Sequence, residues 1–261
     1  MKVSFSKYHG NGNDFIIVDG INNNLTDINQ DKIQTLCDRR TGIGADGFII
    51  IKSNLDSDYE MVYYNCDGKI GSFCGNGARC AYDFSIKNGI SKNISKFKAH
   101  DGFHSASFSG DKISISINEV NNFKKIGMNY FVDTGSPHLV MFNQDLEKLK
   151  IEDEFIKSQV NNLFKDDGVN VNFVSRKNNN TFLARTFERG VNAETLSCGT
   201  GAVAIAICAK LKYDFQNKSV NIVTKGGDLT VTFKKDNSKF IDIFLEGNAK
   251  RVFDGTFYLW R

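Results

Sequence analysis

The sequence predicts an α/β (α+β) protein of two similar domains, each a curved, mostly antiparallel sheet wrapped around a central buried helix. Three observations carry that prediction. The block Cys74-Gly75-Asn76-Gly77-Ala78 recurs as Cys198-Gly199-Thr200-Gly201-Ala202, 124 positions later in a chain of 261. Short β-rich runs bounded by turn residues dominate the rest. The stretch Ala202-Val203-Ala204-Ile205-Ala206-Ile207-Cys208-Ala209 is apolar all round, as in a helix enclosed on every side.

The repeat extends beyond the two blocks. On the same offset, Gly44-Ala45-Asp46-Gly47-Phe48-Ile49-Ile50 aligns with Gly168-Val169-Asn170-Val171-Asn172-Phe173-Val174. Asp14-Phe15-Ile16-Ile17-Val18 aligns with His138-Leu139-Val140-Met141-Phe142, and Tyr63-Tyr64-Asn65 with Phe187-Glu188-Arg189. One long period occurring twice indicates duplicated domains rather than a solenoid. Chance similarity of glycine-rich loops would explain any single block but not a collinear set.

Strands are expected at Phe15–Asp19, Phe48–Ile51, Met61–Asn65, Lys112–Ile117, Phe182–Phe187, Asp228–Phe233, Phe240–Leu245 and Phe257–Trp260. Lys112-Ile113-Ser114-Ile115-Ser116-Ile117 alternates as a half-buried strand does. Lys234–Lys239 reads as a polar hairpin turn. Helical periodicity runs from Asp31 to Arg39 and from Asp145 to Phe164. A third helix, Asn76–Lys87, should stop at Asn88-Gly89. There is one proline, Pro137, and no flexible linker. The domain boundary is expected near Glu119–Lys125.

Composition narrows the function classes. A net charge of +3 with no basic stripe gives no nucleic-acid footprint. No run of about 18 apolar residues calls for a membrane, and Met1–Lys7 enters a strand-like pattern without a signal-peptide core. Six cysteines without a secretory signal fit free thiols in the cytoplasm. Cys66, Cys74 and Cys80 form no C-x-x-C pair, and His9, His100, His104 and His138 stand at no zinc spacing from them, so no metal is expected. Cys37 and Cys208 lie in apolar helical patterns and read as buried, inert thiols.

Cys74 and Cys198 read differently because each precedes a helix. The unused N–H groups and dipole of a helix N-terminus favour negative charge, which eases thiol ionisation and holds a carboxylate. Glycines there let a ligand approach the backbone. A thiolate base and a thiol acid, one from each half, would remove a proton from one face of a carbon and return one to the other. A lone Cys-Gly is more often a structural turn, and the doubling argues otherwise. Glu188-Arg189-Gly190 offers an ammonium partner and a carboxylate fork, although adjacent Glu-Arg is commonly a solvated pair. Ser136-Pro137-His138 offers a histidine at a pocket rim or a structural one.

In order, the segments Lys7–Phe15, Asp38–Gly47, Asn65–Gly68, Cys74–Cys80, Gly168–Phe173, Glu188–Gly190 and Cys198–Gly201 resemble the diaminopimelate epimerases over nearly the whole chain. The resemblance implies a cofactor-independent isomerase that interconverts LL- and meso-diaminopimelate in lysine and peptidoglycan precursor synthesis. It implies a site in the cleft between the domains, and a chain whose last dozen residues return to the first one. The lobes are then 1–118 plus 251–261, carrying Cys74, and 119–250, carrying Cys198. By motif match Cys74 and Cys198 are the acid–base pair. Gly75, Asn76, Gly199 and Thr200 cradle the reacting carboxylate. Asn13, Asn65, Asn170 and Arg189 bind the remote end, Glu188 takes the reacting ammonium, and His138 supports the site. The expected partner is a small amino-acid substrate, and a homodimer is compatible with the sequence.

Three departures bear on remote-end recognition. Ser136 stands where the family commonly has asparagine, so an amide contact becomes a hydroxyl contact. Gly47 stands where some members have glutamine. The segment from Glu188 to Cys198 is one residue longer than in many members. Other readings remain open on sequence: a proline- or hydroxyproline-type racemase, a cysteine-nucleophile hydrolase or acyltransferase using His138, and a non-catalytic ligand-binding relative.

Overall fold

The first hairpin follows from its turn. Asn11 and Gly12 take positive φ (53° and 85°), the pair of left-handed residues that a type I′ turn needs. β1 (Lys2–Gly10) therefore folds back on β2 (Asn13–Asp19) with Gly10 opposite Asn13. This is a computed structural model, and it describes residues 2–142, 145–159, 164, 168–189 and 191–259. A crossover through α1 (Gln30–Cys37) brings β3 (Gly47–Lys52) parallel to β2. Asn29 caps α1, its side chain accepting from Lys32 N at 3.1 Å. β4 (Tyr59–Asn65) returns antiparallel to β3, and α2 (Gly75–Lys87) crosses to β5 (Ile94–Ala99), which lies parallel to β4. β6 (Gly102–Ser109) and β7 (Lys112–Ile117) extend the ladder as hairpins.

The pattern then repeats. β8 (Phe123–Ile126), β9 (Asn129–Asp133) and β10 (Pro137–Phe142) run antiparallel in turn. β10 and β11 (Asn170–Arg176) are parallel, with α3 (Ile151–Gln159) in the connection. β12 (Thr181–Glu188) returns antiparallel and carries the short β13 (Ala193–Thr195). α4 (Gly199–Tyr213) crosses to β14 (Ser219–Thr224), parallel to β12, and β15 (Gly227–Asp236) and β16 (Lys239–Gly247) follow as hairpins. β17 (Lys250–Tyr258) pairs with β1, the place that β8 holds beside β9. The chain divides into two units, Met1–Ile115 with Gly247–Arg261, and Ser116–Glu246.

Register confirms the duplication and corrects one of its alignments. Phe15 faces Gly47 in the first unit and Leu139 faces Val171 in the second, a match at the full offset. On the next strand, however, Gly47 faces Asn65 while Val171 faces Phe187. Asn65 therefore corresponds to Phe187, not to Arg189. The β11–β12 connection is two residues shorter than β3–β4, and the stretch before Cys198 is two residues longer than that before Cys74, which restores the offset.

Each central helix is enclosed by strands of its own unit. α2 is buried from Gly75 through Ser85 and packs on β1, β2, β3, β4 and β6. α4 is buried from Gly199 through Ala209 and packs on β9, β10, β11, β14 and β15. The opposite faces form separate cores. Phe5, Ile16, Val18, Phe48, Ile50 and Phe257 cluster with Ile33 and Cys37 of α1. Leu139, Val171, Phe173 and Phe187 cluster with Ile151 and Phe155 of α3. Burying such faces supplies most of the folding drive.

Three element boundaries differ from expectation. The helix expected over Asp145–Phe164 starts at Ile151, and residues 160–163 lie outside the described residues. Its first part is held differently, because Arg185 Nη1 donates to Leu146 O (2.6 Å) and Leu149 O (3.3 Å), carbonyls that a longer helix would use. The Lys234–Lys239 turn shrinks to Asn237-Ser238, with Asn237 at φ 50°, because the ladder continues to Asp236 opposite Lys239. The final strand runs Lys250–Tyr258, and Trp260 lies outside the described residues. No described helix is long and apolar enough to cross a membrane.

Close packing between β1 and the start of α2 leaves no room at Gly10, where a Cβ would stand 2.9 Å from Asn76 O. Gly10→Ala is expected to lower stability by about 1–3 kcal/mol through overpacking. Urea unfolding read by circular dichroism checks this, and a midpoint equal to that of the parent would contradict the packing.

Candidate active site

Both candidate thiols occupy the same position in their units. Cys74 is the N-cap of α2 with φ −120° and ψ 107°, and Cys198 is the N-cap of α4 with φ −121° and ψ 116°. The helices start immediately after them, Ala78 N bonding Cys74 O (2.8 Å) and Ala202 N bonding Cys198 O (2.9 Å). Gly75 and Asn76, and Gly199 and Thr200, thus supply first-turn N–H groups that the helix ladder does not use. Gly201 allows the second start, since a Cβ there would stand 2.5 Å from Asn172 Oδ1.

In the first unit Cys74 is half-buried, and its sulfur accepts from Gly77 N at 3.4 Å. It lies 3.8 Å from Asn13 Oδ1. Asn76 Nδ2 donates to the same oxygen (3.3 Å), and Asn13 Nδ2 donates to Asp46 Oδ2 (2.9 Å). Arg79 is fully buried behind them, donating to Asn76 Oδ1 (2.7 Å), Asn11 Oδ1 (3.0 Å), Gly75 O (3.3 Å) and Asn248 O (3.3 Å). Burial lowers its pKa to about 10, which leaves a cation at neutral pH. Asp14 sits between Lys7 (2.6 Å) and Arg39 (2.7 Å), and Arg39 also reaches Asp46 (2.7 Å). Burial works to raise the Asp14 pKa, but hydrogen bonds from Arg39 and Lys7 outweigh it and hold the carboxyl well below the usual range.

In the second unit Cys198 is buried, its sulfur 3.5 Å from Thr200 Oγ1. Thr200 Oγ1 is 3.0 Å from His138 Nε2, and Thr134 Oγ1 donates to Thr200 O (3.1 Å). Asn172 Nδ2 lies 3.0 Å from His138 Nδ1 and 3.3 Å from Leu139 O, while Thr186 Oγ1 donates to Asn172 Oδ1 (3.0 Å). Burial, and secondarily the Arg189 cation, lowers the His138 pKa to about 3, so the ring is neutral at physiological pH.

The remaining expected residues form two further groups. Asn170 Nδ2 donates to Ser136 Oγ (2.9 Å) and Asn170 Oδ1 accepts from Arg189 N (3.0 Å). Glu188 Oε1 accepts from Thr195 Oγ1 (2.7 Å). Asn65 is exposed at the end of β4, its amide oxygen beside Gly71. Gly190 lies outside the described residues. Cys37, Cys80 and Cys208 are buried, and burial pushes Cys37 up to about 12 and the other two well above an ordinary thiol. Such thiols are inert at neutral pH.

Sequence reading missed Arg79, Asn11, Asp46, Asn172, Thr134 and Thr186. Two carried a usable signal. Arg79 is a lone charge in the small-residue start of a buried helix. Asn172 shares a strand face with Asn170, two residues apart, within the otherwise apolar first five residues of β11.

A family model described as diaminopimelate epimerase matches residues 5–122 and 130–252. The chain belongs to the diaminopimelate epimerase family. A diaminopimelate epimerase of Flavobacterium psychrophilum is 44% identical over 252 residues, covering 96% of this chain and 98% of that protein. One of Aquifex aeolicus is 34% identical, covering 97% of each. Solved structures share the fold at low identity. A PhzF-family phenazine biosynthesis protein of Bacillus anthracis superposes with TM-score 0.76 at 14% identity, covering 99% of this chain and 100% of that one. A hydroxyproline epimerase of Agrobacterium vitis gives TM-score 0.69 at 11% identity, covering 98% and 92%. The enzyme class that the family implies is an isomerase, with the mixed α/β fold expected from the sequence.

The neutral His138 links stability to pH. Its pKa is lowered from an unfolded value near 6.5 to about 3, so unfolding takes up a proton between these values. The stability it contributes is full above the unfolded pKa and is lost as pH falls toward 3. The slope is up to about 1.4 kcal/mol per pH unit. Urea unfolding at pH 7 and 4.5 should show a smaller acid loss in His138→Gln than in the parent. Equal losses would mean that His138 is not held neutral.

Proposed function

We propose that the protein inverts one α-carbon of diaminopimelate, interconverting the LL and meso forms, with Cys74 and Cys198 as a thiol–thiolate pair and no cofactor. The observation that carries the reading is the recurrence of one cysteine pose at two buried helix starts, in a chain of this family. Two groups of equal chemistry are what a reversible inversion needs, since each must serve as acid in one direction and base in the other.

The roles follow from donor and acceptor chemistry. First-turn N–H groups of Gly75 and Asn76, and of Gly199 and Thr200, would hold the reacting carboxylate and stabilise charge that moves onto it when the α-proton leaves. Glu188 would pair with the ammonium on the reacting carbon. Asn13, Asn65, Ser136, Asn170 and Arg189 would recognise the remote amino-acid end, with Arg189 as the carboxylate fork. His138 would keep Thr200 in place. The product serves lysine and peptidoglycan precursor synthesis, and the cytoplasm is the proposed compartment because the mechanism needs reduced thiols.

In heavy water, LL-diaminopimelate should yield meso product carrying deuterium at the inverted carbon, as read by mass spectrometry. Proline in a parallel reaction should stay unlabelled. Absence of label from diaminopimelate would end the epimerase reading, and labelled proline would favour the racemase alternative. Cys74→Ala and Cys198→Ala should each lower turnover by about two to four orders of magnitude, the usual scale for an acid–base group. Ordinary turnover in either variant would rule out the two-thiol scheme.

A further inference from the structure

Successive side chains of a strand point to opposite faces of its sheet, and the short β13 uses both. Its register against β12 places Thr195 opposite Thr186 and Glu194 opposite Phe187. Thr186 lies on the face turned toward α4, since its hydroxyl donates to Asn172 Oδ1 (3.0 Å), the atom that stands against Gly201. Glu188 shares that face, two residues further on, and Thr195 Oγ1 donates to Glu188 Oε1 (2.7 Å). Phe187 lies on the other face, in the core with Ile151 and Phe155 of α3. Arg185 shares that outer face, and Glu194 meets it there.

Two cations hold Glu194. Arg185 grips it bidentately, Nε to Oε1 (2.8 Å) and Nη2 to Oε2 (2.7 Å), and Lys225 Nζ lies 2.9 Å from Oε1. A planar fork of this kind sets direction as well as distance. Hydrogen bonds from Arg185, and less strongly from Lys225, hold the Glu194 carboxyl below the usual carboxylate range against the opposing effect of burial. The remaining Arg185 nitrogen is spent on Leu146 O and Leu149 O, so the guanidinium cannot swing without releasing two segments. The flanks of β13 are tied as well. Asn192 N donates to Glu188 O (2.8 Å) and Gly226 N to Leu196 O (2.8 Å). A strand of three residues has little ladder of its own, and these contacts fix where its inner hydroxyl stands.

We infer that Thr195 is a positioning residue that aims the Glu188 carboxylate at the substrate ammonium, and that the Arg185–Glu194–Lys225 cluster on the opposite face of β13 keeps Thr195 in place. The inference rests on the reading of Glu188 above. The last torsion of a glutamate side chain is broad when nothing holds it. A carboxylate only accepts, so the Thr195 hydroxyl proton points at Oε1 and fixes that torsion. A preset carboxylate meets the ammonium without being ordered at the moment of binding, and the gain is felt as affinity rather than as rate. Glu194 is the other acid between residues 188 and 198. Its ties to Arg185 and Lys225, on the far face of the strand, keep it from competing for the ammonium.

Titration calorimetry with LL-diaminopimelate in a Cys74→Ala background reads affinity apart from turnover. Thr195→Val keeps the shape and removes the hydroxyl, and it should weaken binding about tenfold, the scale of a hydrogen bond to a charged group. Thr195→Ser should bind as the background does. Glu188→Gln should also weaken binding, and adding Thr195→Val to it should cost little more, the coupling expected of two groups that act through one contact. Glu194→Gln turns an N–H toward the cations and should weaken binding in the same direction. Unchanged affinity in Thr195→Val, a Thr195→Ser as weak as Thr195→Val, or a fully additive loss in the double variant overturns the inference. A threonine with only a structural role would give the last two. If Thr195→Val does not fold, Glu194→Gln decides, and unchanged affinity there overturns it. A weakened Glu188→Gln beside an unchanged Thr195→Val removes this inference alone. Unchanged binding in Glu188→Gln removes the ammonium role of Glu188 instead, and no binding of diaminopimelate by the background itself removes the epimerase reading.

Discussion

A helix that begins inside a protein must satisfy the N–H groups of its first turn without bulk water, and that requirement shapes both units. α2 and α4 each start below the surface, so the residues around their first turns have to be small, polar or both. Gly10 lets β1 come against Asn76, and Gly201 leaves room for the Asn172 amide. At α2 the Cys74 sulfur meets the constraint by accepting from Gly77 N, whereas the Cys198 side chain makes no such cap bond at α4. The positive end of a buried helix favours an ionised thiol and a bound carboxylate alike.

The units solve the same problem with different side chains. Around Cys74 the supports are Asn13, Asn76 and Arg79, anchored outward through Asp46 to Arg39 and Asp14. Around Cys198 they are Thr200, His138 and Asn172, anchored inward to the β10 backbone at Leu139. The scaffold kept its register on β2–β3 and β10–β11 while the polar shell diverged.

The duplication, the two central helices and both cysteine caps were legible because they depend on local rules: glycine spacing, apolar periodicity and cap position. The start of α3 was not, because Arg185, distant in sequence, claims the carbonyls of Leu146 and Leu149. The alignment of Asn65 with Arg189 failed for a related reason. A constant offset conceals a shortening and a later lengthening that only strand pairing exposes. Arg79 and Asn172 were visible as residue types, but their importance lies in what they clamp, and partners that far apart in sequence are not printed in a linear pattern.

β17 has a consequence for how the molecule is made. The second unit is continuous, and β8, which flanks β9, leaves the ribosome just ahead of it. The first unit finds its matching strand only after the whole second unit has been synthesised. During translation β1 keeps an open edge, a hazard that folding intermediates commonly carry. The later-made unit is thus free to fold first, and closure of the earlier one waits for the returning strand.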